Sequence, residues 1–181
     1  MNKRVLMCDV DETVAPAVKK WIKWYENLVG GDLKPLLRTD GRANDLLELM
    51  HNHNNPLEFW RDPELYHNME PRFGCVNVLE RLSERFDIVF VSNSMPEHSH
   101  SKEMFLKKHF PFHKGYVATM EKRFITASVF IDDYKQYLRN VKEYQPNCEC
   151  IHIKTFLSNE SDEFPLLEWS EIEEYLRTKG L

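Results

Sequence analysis

Short apolar runs that alternate with helical periods constrain the fold of this 181-residue chain more than any other feature of its sequence. Such runs are typical of buried strands, whereas apolar side chains at every third or fourth position indicate amphipathic helices. Strands are predicted at residues 4–9, 88–91, 116–118, 129–131 and 150–153. Helices are predicted at residues 76–86, 97–109, 135–144 and 169–178. This alternation predicts an α/β protein with a parallel sheet and helices on both of its faces.

The region 14–72 breaks the alternation, because helical signals follow one another there without an intervening strand. One helical period runs from Val18 to Val29, and a second helical segment lies near residues 44–50. We therefore expect a small helical cap at 14–72, inserted after the first strand and folded over one end of the sheet. The core would then consist of residues 1–13 and 73–181.

The charge balance excludes some classes of partner. A net charge of -5 argues against stable binding to nucleic acid or to acidic membranes. Lys102 and the run Lys107-Lys108-His109 form a local basic patch, which we interpret as the solvated face of a helix. A small molecule is the expected partner, and the oligomeric state, including a homodimer, stays open.

Targeting signals and cysteine spacing indicate the compartment. The apolar run before Asp9 is too short for a signal peptide, and no stretch approaches the length of a membrane span. The four cysteines are Cys8, Cys75, Cys148 and Cys150. Their spacing lacks the paired pattern of a zinc site, so we expect reduced thiols and a cytoplasmic protein.

Polar side chains end three of the predicted strands, as Asp9-Val10-Asp11, Ser92-Asn93-Ser94 and Asp132-Asp133. Ligands of open parallel sheets bind beyond the carboxyl ends of the strands. Asp9 and Asp11 begin on the same face of their strand, and their mutual repulsion is tolerable when a cation lies between them or one is protonated. An Asp after a strand can also simply cap the next helix, which is the alternative for Asp132-Asp133.

Converging carboxylates call for a hard cation. Oxygen ligands without a Cys/His cluster favour magnesium, which bridges protein carboxylates to a substrate phosphate. Ser92 offers a hydroxyl donor, and Lys122, ten residues before Asp132, offers one compact positive charge to a phosphate. Taken alone, Lys122 would be interpreted as a solvated loop lysine.

The ordered motifs resemble those of the haloacid dehalogenase-like phosphohydrolases. They are Asp9-Val-Asp11-Glu-Thr13, Ser92 after Ile-Val-Phe-Val, Lys122, and Ile131-Asp132-Asp133. The run from Lys122 to Asp133, with Met69-Glu70-Pro71 and Gly74, is similar to the 5'(3')-deoxyribonucleotidase branch. The resemblance covers most of residues 4–153 and implies a Rossmann-like core with a short helical cap after the first motif.

The resemblance implies roles for the residues that carry the reaction. Asp9 would be the nucleophile that accepts the phosphoryl group, and Asp11 the general acid and base. Ser92, Asn93 and Lys122 would bind the phosphoryl group. Asp11 must be protonated at the first step, so we expect its neighbours to hold its pKa up.

The resemblance also implies how Mg²⁺ would be held. The carboxylates of Asp9 and Asp132 and the backbone carbonyl of Asp11 would be its ligands. Asp133 would support these ligands without contacting the ion directly. The implied function is magnesium-dependent hydrolysis of (deoxy)nucleoside monophosphates. Two alternatives stay open: another phosphoester substrate, including a nucleic-acid 3' phosphate, and a non-catalytic nucleotide-binding protein.

Two positions depart from the family pattern. Glu12 stands where Gly is frequent, and Ala17 stands where the nucleotidases place an aromatic residue against the base. A stacking surface could instead come from other aromatic residues of the cap, which are Trp21, Trp24, Tyr25, Phe59 and Trp60. Their helical spacing is also typical of side chains packed inside the cap, so base specificity stays open.

Histidines offer a second metal hypothesis. The candidates are His51, His53, His98, His100, His109 and His113. His98 and His100 follow the second motif closely enough to touch substrate. Because the set shows no fixed ligand spacing, we interpret its members as surface polar residues.

Overall fold

The computed structural model describes residues 3–30, 55, 57–157 and 163–181. The strands are β1 Arg4–Cys8, β2 Phe86–Ser92, β3 Gly115–Ala118, β4 Val129–Asp132, β5 Glu149–Ile153 and β6 Leu166–Leu167. The α-helices of the described part are α1 Ala17–Val29, α2 Cys75–Leu82, α3 Pro96–His109, α4 Lys135–Tyr144 and α5 Ile172–Thr178. Short 3₁₀ helices lie at Glu58–Arg61, Lys122–Phe124 and Trp169–Glu171.

The strands form one parallel sheet in the order β3-β2-β1-β4-β5-β6. β1 lies between β2 and β4, so Leu6 pairs with both Ile88 and Val129. The predicted parallel α/β sheet is confirmed. The short strand β6 was not predicted, because two residues carry no readable period.

Alternate side chains of β1 enter two separate apolar layers. Leu6 and Cys8 pack in a cluster that includes α2, α5 and Phe105 of α3. Met7, which points the other way, packs with Leu138 and Val141 of α4. Helices therefore cover both faces of the sheet, as expected for a parallel sheet with apolar strands.

Helix α1 begins the region predicted as a cap. Its buried face consists of Val18, Trp21, Ile22 and Tyr25, which follow the helical period. These side chains pack with Leu57, Phe59, Trp60 and Leu157. The predicted helical segment near 44–50 lies outside the described residues, and the domain boundaries stay a prediction. Among the described residues, no helix is both long enough and apolar enough to cross a membrane.

The boundary between α2 and β2 differs from the prediction. The helix was predicted to reach residue 86, but it ends at Leu82, and Phe86 already pairs with Arg4 of β1. The helical period continues through Phe86 in the sequence, yet pairing with β1 buries this ring in the sheet. Tertiary pairing thus overrides the local period.

Candidate active site

The topology of the sheet brings the three polar strand ends together. β1 is flanked by β2 and β4, so Asp9 follows the central strand while Ser92 and Asp132 end its two neighbours. The Asp9 amide donates a hydrogen bond to the Ile131 carbonyl at 2.9 Å, which extends the β1–β4 pairing by one residue. The predicted convergence of these side chains at one sheet edge is therefore present.

Lys122 lies at the centre of the first cluster of charges. Its Nζ donates hydrogen bonds to Asp9 Oδ1 at 2.5 Å and to Asp132 Oδ2 at 2.7 Å, and the side chain is buried. The ammonium also lies 4.2 Å from the centre of the Tyr137 ring. Lys122 is thus not a solvated loop lysine. Burial opposes its charge, but the Asp132 and Asp9 carboxylates raise its pKa.

Three carboxylates in this cluster could hold a metal ion. Asp9, Asp132 and Asp133 each place an oxygen within 4.8 Å of the others. Burial raises the pKa of Asp9 to about 7, although the Lys122 ammonium opposes this shift. Burial and the charges of Asp132 and Asp9 hold the pKa of Asp133 well above its usual range. Crowded, desolvated carboxylates of this kind fit a hard divalent cation.

Short contacts orient the carboxylates of Asp132 and Asp133. Asp132 Oδ1 accepts the Tyr134 amide at 2.8 Å, so Asp132 does cap the following turn while its other oxygen faces Lys122. Asp133 Oδ1 accepts the Thr13 hydroxyl at 3.1 Å. His152 Nε2 contacts the Asp133 carbonyl at 3.0 Å, which ties β5 to the same turn.

Asp11 belongs to a second cluster. Its Oδ2 accepts Lys102 Nζ at 2.6 Å and Ser92 Oγ at 3.2 Å, while the Tyr66 hydroxyl donates to Oδ1. Lys102 Nζ also lies 2.9 Å from Ser92 Oγ, so the lysine positions both side chains. Ser92 and Asp11 are therefore held together, as a shared phosphoryl site would require.

The expected direction of the Asp11 pKa shift was wrong. Burial does raise it, but the Lys102 ammonium and the hydrogen bonds from Lys102 and Tyr66 outweigh burial, and the Asp11 pKa is lowered. The neighbours were expected to stabilise the neutral acid. They instead stabilise the carboxylate, because two donors and a full positive charge face it.

Lys102 also corrects the interpretation of the basic patch. It was assigned to a solvated helix face, but it is completely buried. The buried positions of α3 are His98, Ser101, Lys102, Phe105 and Leu106. Their spacing is that of a core-facing stripe, so the period of the helix already placed Lys102 inward. Lys107 and Lys108 are exposed, as predicted.

Glu12 adopts an unusual backbone conformation directly after Asp11. Its φ of 59° lies in the left-handed region that favours glycine, the residue frequent in the family at this position. Arg72 Nη1 donates to the Glu12 carbonyl at 2.5 Å, and Nη2 donates to the Lys154 carbonyl at 3.0 Å. Burial raises the pKa of Glu12 to about 7. Arg72 thus braces the loop that carries both aspartates.

Other predicted residues lie in different surroundings. Asn93 is exposed. His98 is buried rather than at the surface, whereas His100 is exposed. His51 and His53 lie outside the described residues. Within the described ranges, the group of side chains that could hold a metal ion is the carboxylate set rather than a histidine cluster.

The aromatic residues of the predicted cap pack largely against one another. The Trp21 and Trp60 rings meet edge to face at 5.6 Å between centroids, and Trp24 lies 6.0 Å from Phe59. Ala17 is completely buried. Phe59 and Trp60 are half-buried, so part of their surface is accessible. Packing inside the region is thus confirmed for Trp21, while base specificity stays open.

Sequence reasoning missed three residues that shape the site. Tyr66 and Lys102 contact Asp11, and Arg72 braces the loop after it. Lys102 was detectable from the period of α3. Tyr66 and Arg72 carried no signal, because they come from an irregular stretch whose path the sequence does not reveal.

Comparisons with known proteins agree with this geometry. A curated 5'(3')-deoxyribonucleotidase from Clostridium acetobutylicum is 25% identical over 150 residues, covering 78% of this chain and 79% of the relative. A putative haloacid dehalogenase-like hydrolase from Burkholderia xenovorans superposes with a TM-score of 0.64 at 14% identity, with both chains fully covered. A putative hydrolase of that superfamily from Bacillus subtilis, bound to magnesium, gives 0.62 at 13% identity and covers 98% of this chain and 100% of its own.

These structural likenesses establish the fold, and the sequence family establishes the activity. The model of the family "5' nucleotidase, deoxy (Pyrimidine), cytosolic type C protein" matches residues 3–179, nearly the whole chain. The names of this family and of the curated relative both indicate nucleotide phosphohydrolysis, and the carboxylate site described above is compatible with that reaction. The chain therefore belongs to the family of cytosolic type C 5' nucleotidases (deoxy, pyrimidine) and is a phosphoric monoester hydrolase, with a fold similar to that of haloacid dehalogenase-like hydrolases.

Proposed function

We propose that the protein hydrolyses (deoxy)nucleoside monophosphates with Mg²⁺ through an aspartyl-phosphate on Asp9. One observation carries this proposal: the Asp9 carboxylate lies at the end of the central strand, paired with Lys122 and within 4.8 Å of the Asp132 and Asp133 oxygens. A nucleophile, a cation for the phosphoryl oxygens and a metal-binding carboxylate set thereby share one small volume. A nucleotide-binding module would need no such nucleophile.

The donor set fits magnesium. The carboxylates of Asp9 and Asp132 and the backbone carbonyl of Asp11 would hold the ion, with Asp133 supporting them through its contact with Thr13. All of these ligands are oxygens, which magnesium prefers. When bound, the ion supplies positive charge that stabilises the phosphoryl oxygens in the transition state.

Asp9 performs the first displacement. A carboxylate oxygen attacks phosphorus, an Asp9–phosphorus bond forms, and the bond from phosphorus to the ester oxygen breaks with its electron pair moving to that oxygen. Asp11 gives its proton to the departing alcohol. In the second step Asp11 takes a proton from water, the water oxygen attacks phosphorus, and inorganic phosphate leaves Asp9.

Lys122 and Ser92 hold the phosphoryl group on its two sides, with Asn93 at the exposed rim. Lys122 is fixed by Asp9 and Asp132, and Ser92 is fixed by Lys102. Fixed donors of this kind stabilise developing charge without reorganising. A phosphate dianion next to Asp11 also raises the pKa of that carboxyl, which offsets the effect of Lys102 and provides the proton for the first step.

The region 14–72 decides the leaving group in this proposal. A cap over the site favours a small phosphoester over the end of a polymer, and the net charge of -5 agrees. The half-buried rings of Phe59 and Trp60 are candidates to contact the base. We propose a cytoplasmic setting, supported by four free cysteines and by the match to a cytosolic type of nucleotidase.

The deciding experiment combines a variant with a substrate panel. Wild-type protein with Mg²⁺ is assayed on ribo- and deoxynucleoside 5' and 3' monophosphates, sugar phosphates and an oligonucleotide 3' phosphate. Nucleoside monophosphates should be the best substrates, and Asp9→Asn should lower kcat at least about 10³-fold because it removes the nucleophile. Asp87→Asn is the matched control, since Asp87 lies near the opposite end of β2 and pairs with Val5. Wild-type turnover by Asp9→Asn, or unchanged turnover with a chelator, would contradict the mechanism.

A further inference from the structure

His98 is a buried side chain that the proposed reaction does not use. It lies in the first turns of α3, six residues after Ser92, and only 2% of its surface is exposed. Its ring sits between two aromatic rings, with centroid distances of 6.0 Å to Trp60 and 5.5 Å to Tyr66. Burying an imidazole for packing alone is energetically unfavourable, because both ring nitrogens must be desolvated.

The contacts of the ring settle which nitrogen carries the proton. His98 Nδ1 lies 2.6 Å from the Trp60 carbonyl oxygen, and a carbonyl can only accept a hydrogen bond. The hydrogen therefore resides on Nδ1. Burial lowers the pKa of His98, so the ring is neutral at pH 7. In this tautomer Nε2 is a pure acceptor with one lone pair.

That acceptor has no partner among the residues that the structure describes. His98 Nε2 is buried and makes no hydrogen bond. Buried polar atoms in native proteins are nearly always satisfied, and an exception calls for an explanation. Nδ1 faces Trp60, so Nε2 points away from that carbonyl, along the other edge of the ring. An O–H or N–H group of a bound molecule could fill this role, since no described residue does.

The location of the ring indicates where such a donor comes from. Tyr66, which packs against His98, donates its hydroxyl hydrogen to Asp11 Oδ1. The other Asp11 oxygen is already held by Lys102 and Ser92. Asp11 protonates the ester oxygen in the proposed mechanism, and that oxygen is bonded to the sugar. The sugar is thus the part of a bound nucleotide that would lie nearest to Tyr66 and His98.

We propose that His98 Nε2 accepts a hydrogen bond from the free hydroxyl of the substrate's sugar and so selects nucleotides that carry it. This inference rests on the proposed function and adds a specificity-determining residue to it. In a 2'-deoxynucleoside 5'-monophosphate, the free hydroxyl is the one at the 3' carbon. Loss of this hydroxyl leaves the buried acceptor unpaired in the complex, which is the situation that polar sites discriminate against most strongly.

The test compares two substrates that differ in that hydroxyl alone, deoxyuridine 5'-monophosphate and 2',3'-dideoxyuridine 5'-monophosphate. Wild-type protein should prefer the first in kcat/KM by about 10- to 100-fold, the discrimination expected when a buried acceptor loses its partner. His98→Asn keeps a donor where Nδ1 contacts Trp60 but removes the acceptor, so the preference should fall below about 3-fold. His98→Gln places an amide oxygen near the Nε2 position and should retain more of the preference than His98→Asn. His100→Asn, an exposed histidine on the same helix, is the matched control and should keep the full preference.

The outcomes separate this inference from the function on which it rests. Activity on aryl phosphates with none on any nucleoside monophosphate would overturn both. The inference alone would be overturned if wild-type protein turned over deoxyuridine 5'-monophosphate with no preference over the dideoxy substrate. It would also be overturned if His98→Asn kept the full wild-type preference. A third substrate, methylated at N3 of the base, tests the other donor that could reach His98 Nε2, the N3–H of the base. If methylation reduces turnover in a His98-dependent way while removal of the hydroxyl does not, the contact is with the base and the proposal is wrong. Should His98→Asn fail to fold, the wild-type preference and His98→Gln decide.

Discussion

Two buried lysines serve the two motif aspartates in different ways. Lys122 bridges a pair of carboxylates, Asp9 and Asp132, in a cluster that also contains Asp133. Lys102 meets a single carboxylate, Asp11, which is also hydrogen bonded to Ser92 and Tyr66. In the first cluster negative charge exceeds positive charge, whereas in the second the charges balance.

The pKa values of the two aspartates follow this difference. Burial raises the Asp9 pKa to about 7 against the pull of Lys122, while Lys102 and Tyr66 overcome burial and lower the Asp11 pKa. Two aspartates that are only two positions apart in sequence thus acquire pKa shifts in opposite directions. Burial acts upward on both pKa values, so the difference lies in how many carboxylates share each ammonium, which decides whether the ammonium outweighs burial. The excess negative charge around Asp9 is also what a divalent cation would offset.

Lys122→Met is expected to cause the largest loss of unfolding free energy. Removal of the ammonium leaves two buried carboxylates facing each other, and breaking a buried pair in this way costs about 3–5 kcal/mol of unfolding free energy. Urea denaturation of wild type and variant at pH 7 measures the loss. Mg²⁺ should restore part of it, since a cation between Asp9 and Asp132 replaces the missing charge. A smaller loss of unfolding free energy for Lys122→Met than for Lys102→Met would contradict the proposed difference between the two clusters.

Lys102→Met should cost less, about 1–3 kcal/mol at pH 7, because one carboxylate is involved and the Asp11 side chain retains 21% exposure. The folded-state pKa of Asp11 is lowered, so its contribution to stability is fully present above the unfolded pKa of about 4 and is lost as pH falls through the folded value. The gap in stability between wild type and Lys102→Met should therefore narrow below about pH 4. Denaturation at pH 3 and pH 7 tests this, and a gap that widens in acid would contradict the assigned pairing.

Asp9→Asn should show the opposite pH dependence. The folded-state pKa of Asp9 is raised, so its ionisation removes stability as pH rises from about 4 to about 7. The variant cannot ionise there and should gain about 3–4 kcal/mol relative to wild type at pH 8 compared with pH 4, since each pKa unit is worth about 1.4 kcal/mol. Thermal unfolding without Mg²⁺ at both pH values provides the measurement. No relative gain at pH 8 would show that Lys122 fully compensates the Asp9 charge.

Tyr66→Phe should give the smallest effect. It removes one hydrogen bond to Asp11 and leaves the ring in place, so kcat/KM should fall about 3- to 10-fold, and stability by about 1 kcal/mol. Steady-state kinetics on a nucleoside monophosphate measure the change, with Tyr25→Phe as a control in the α1 cluster. An effect as large as that of Lys102→Met would mean that the phenol, rather than the ammonium, dominates the surroundings of Asp11.

Much of the first cluster could be predicted from the sequence. Asp9 and Asp132 follow apolar runs that are long enough to be recognised as strands, and a parallel sheet brings such strand ends to one edge. Lys122 lies close to Asp132 in the chain, so its proximity required little long-range information. The second cluster is different, because Tyr66 and Lys102 reach Asp11 from positions 55 and 91 residues away.

The sequence by itself determined the parallel α/β sheet, the polar strand ends and the family to which the chain belongs, since each depends on local periods and on motifs within short segments. Only the tertiary structure decided the environments of Asp9 and Asp11, the inward position of Lys102 and the burial of His98 Nε2, which has no hydrogen-bond partner in the described part of the chain. The physical reason is that charge balance and desolvation depend on which distant side chains share a small volume. Local patterns specify the strands and helices, but the energy of a buried charge is a property of their packing.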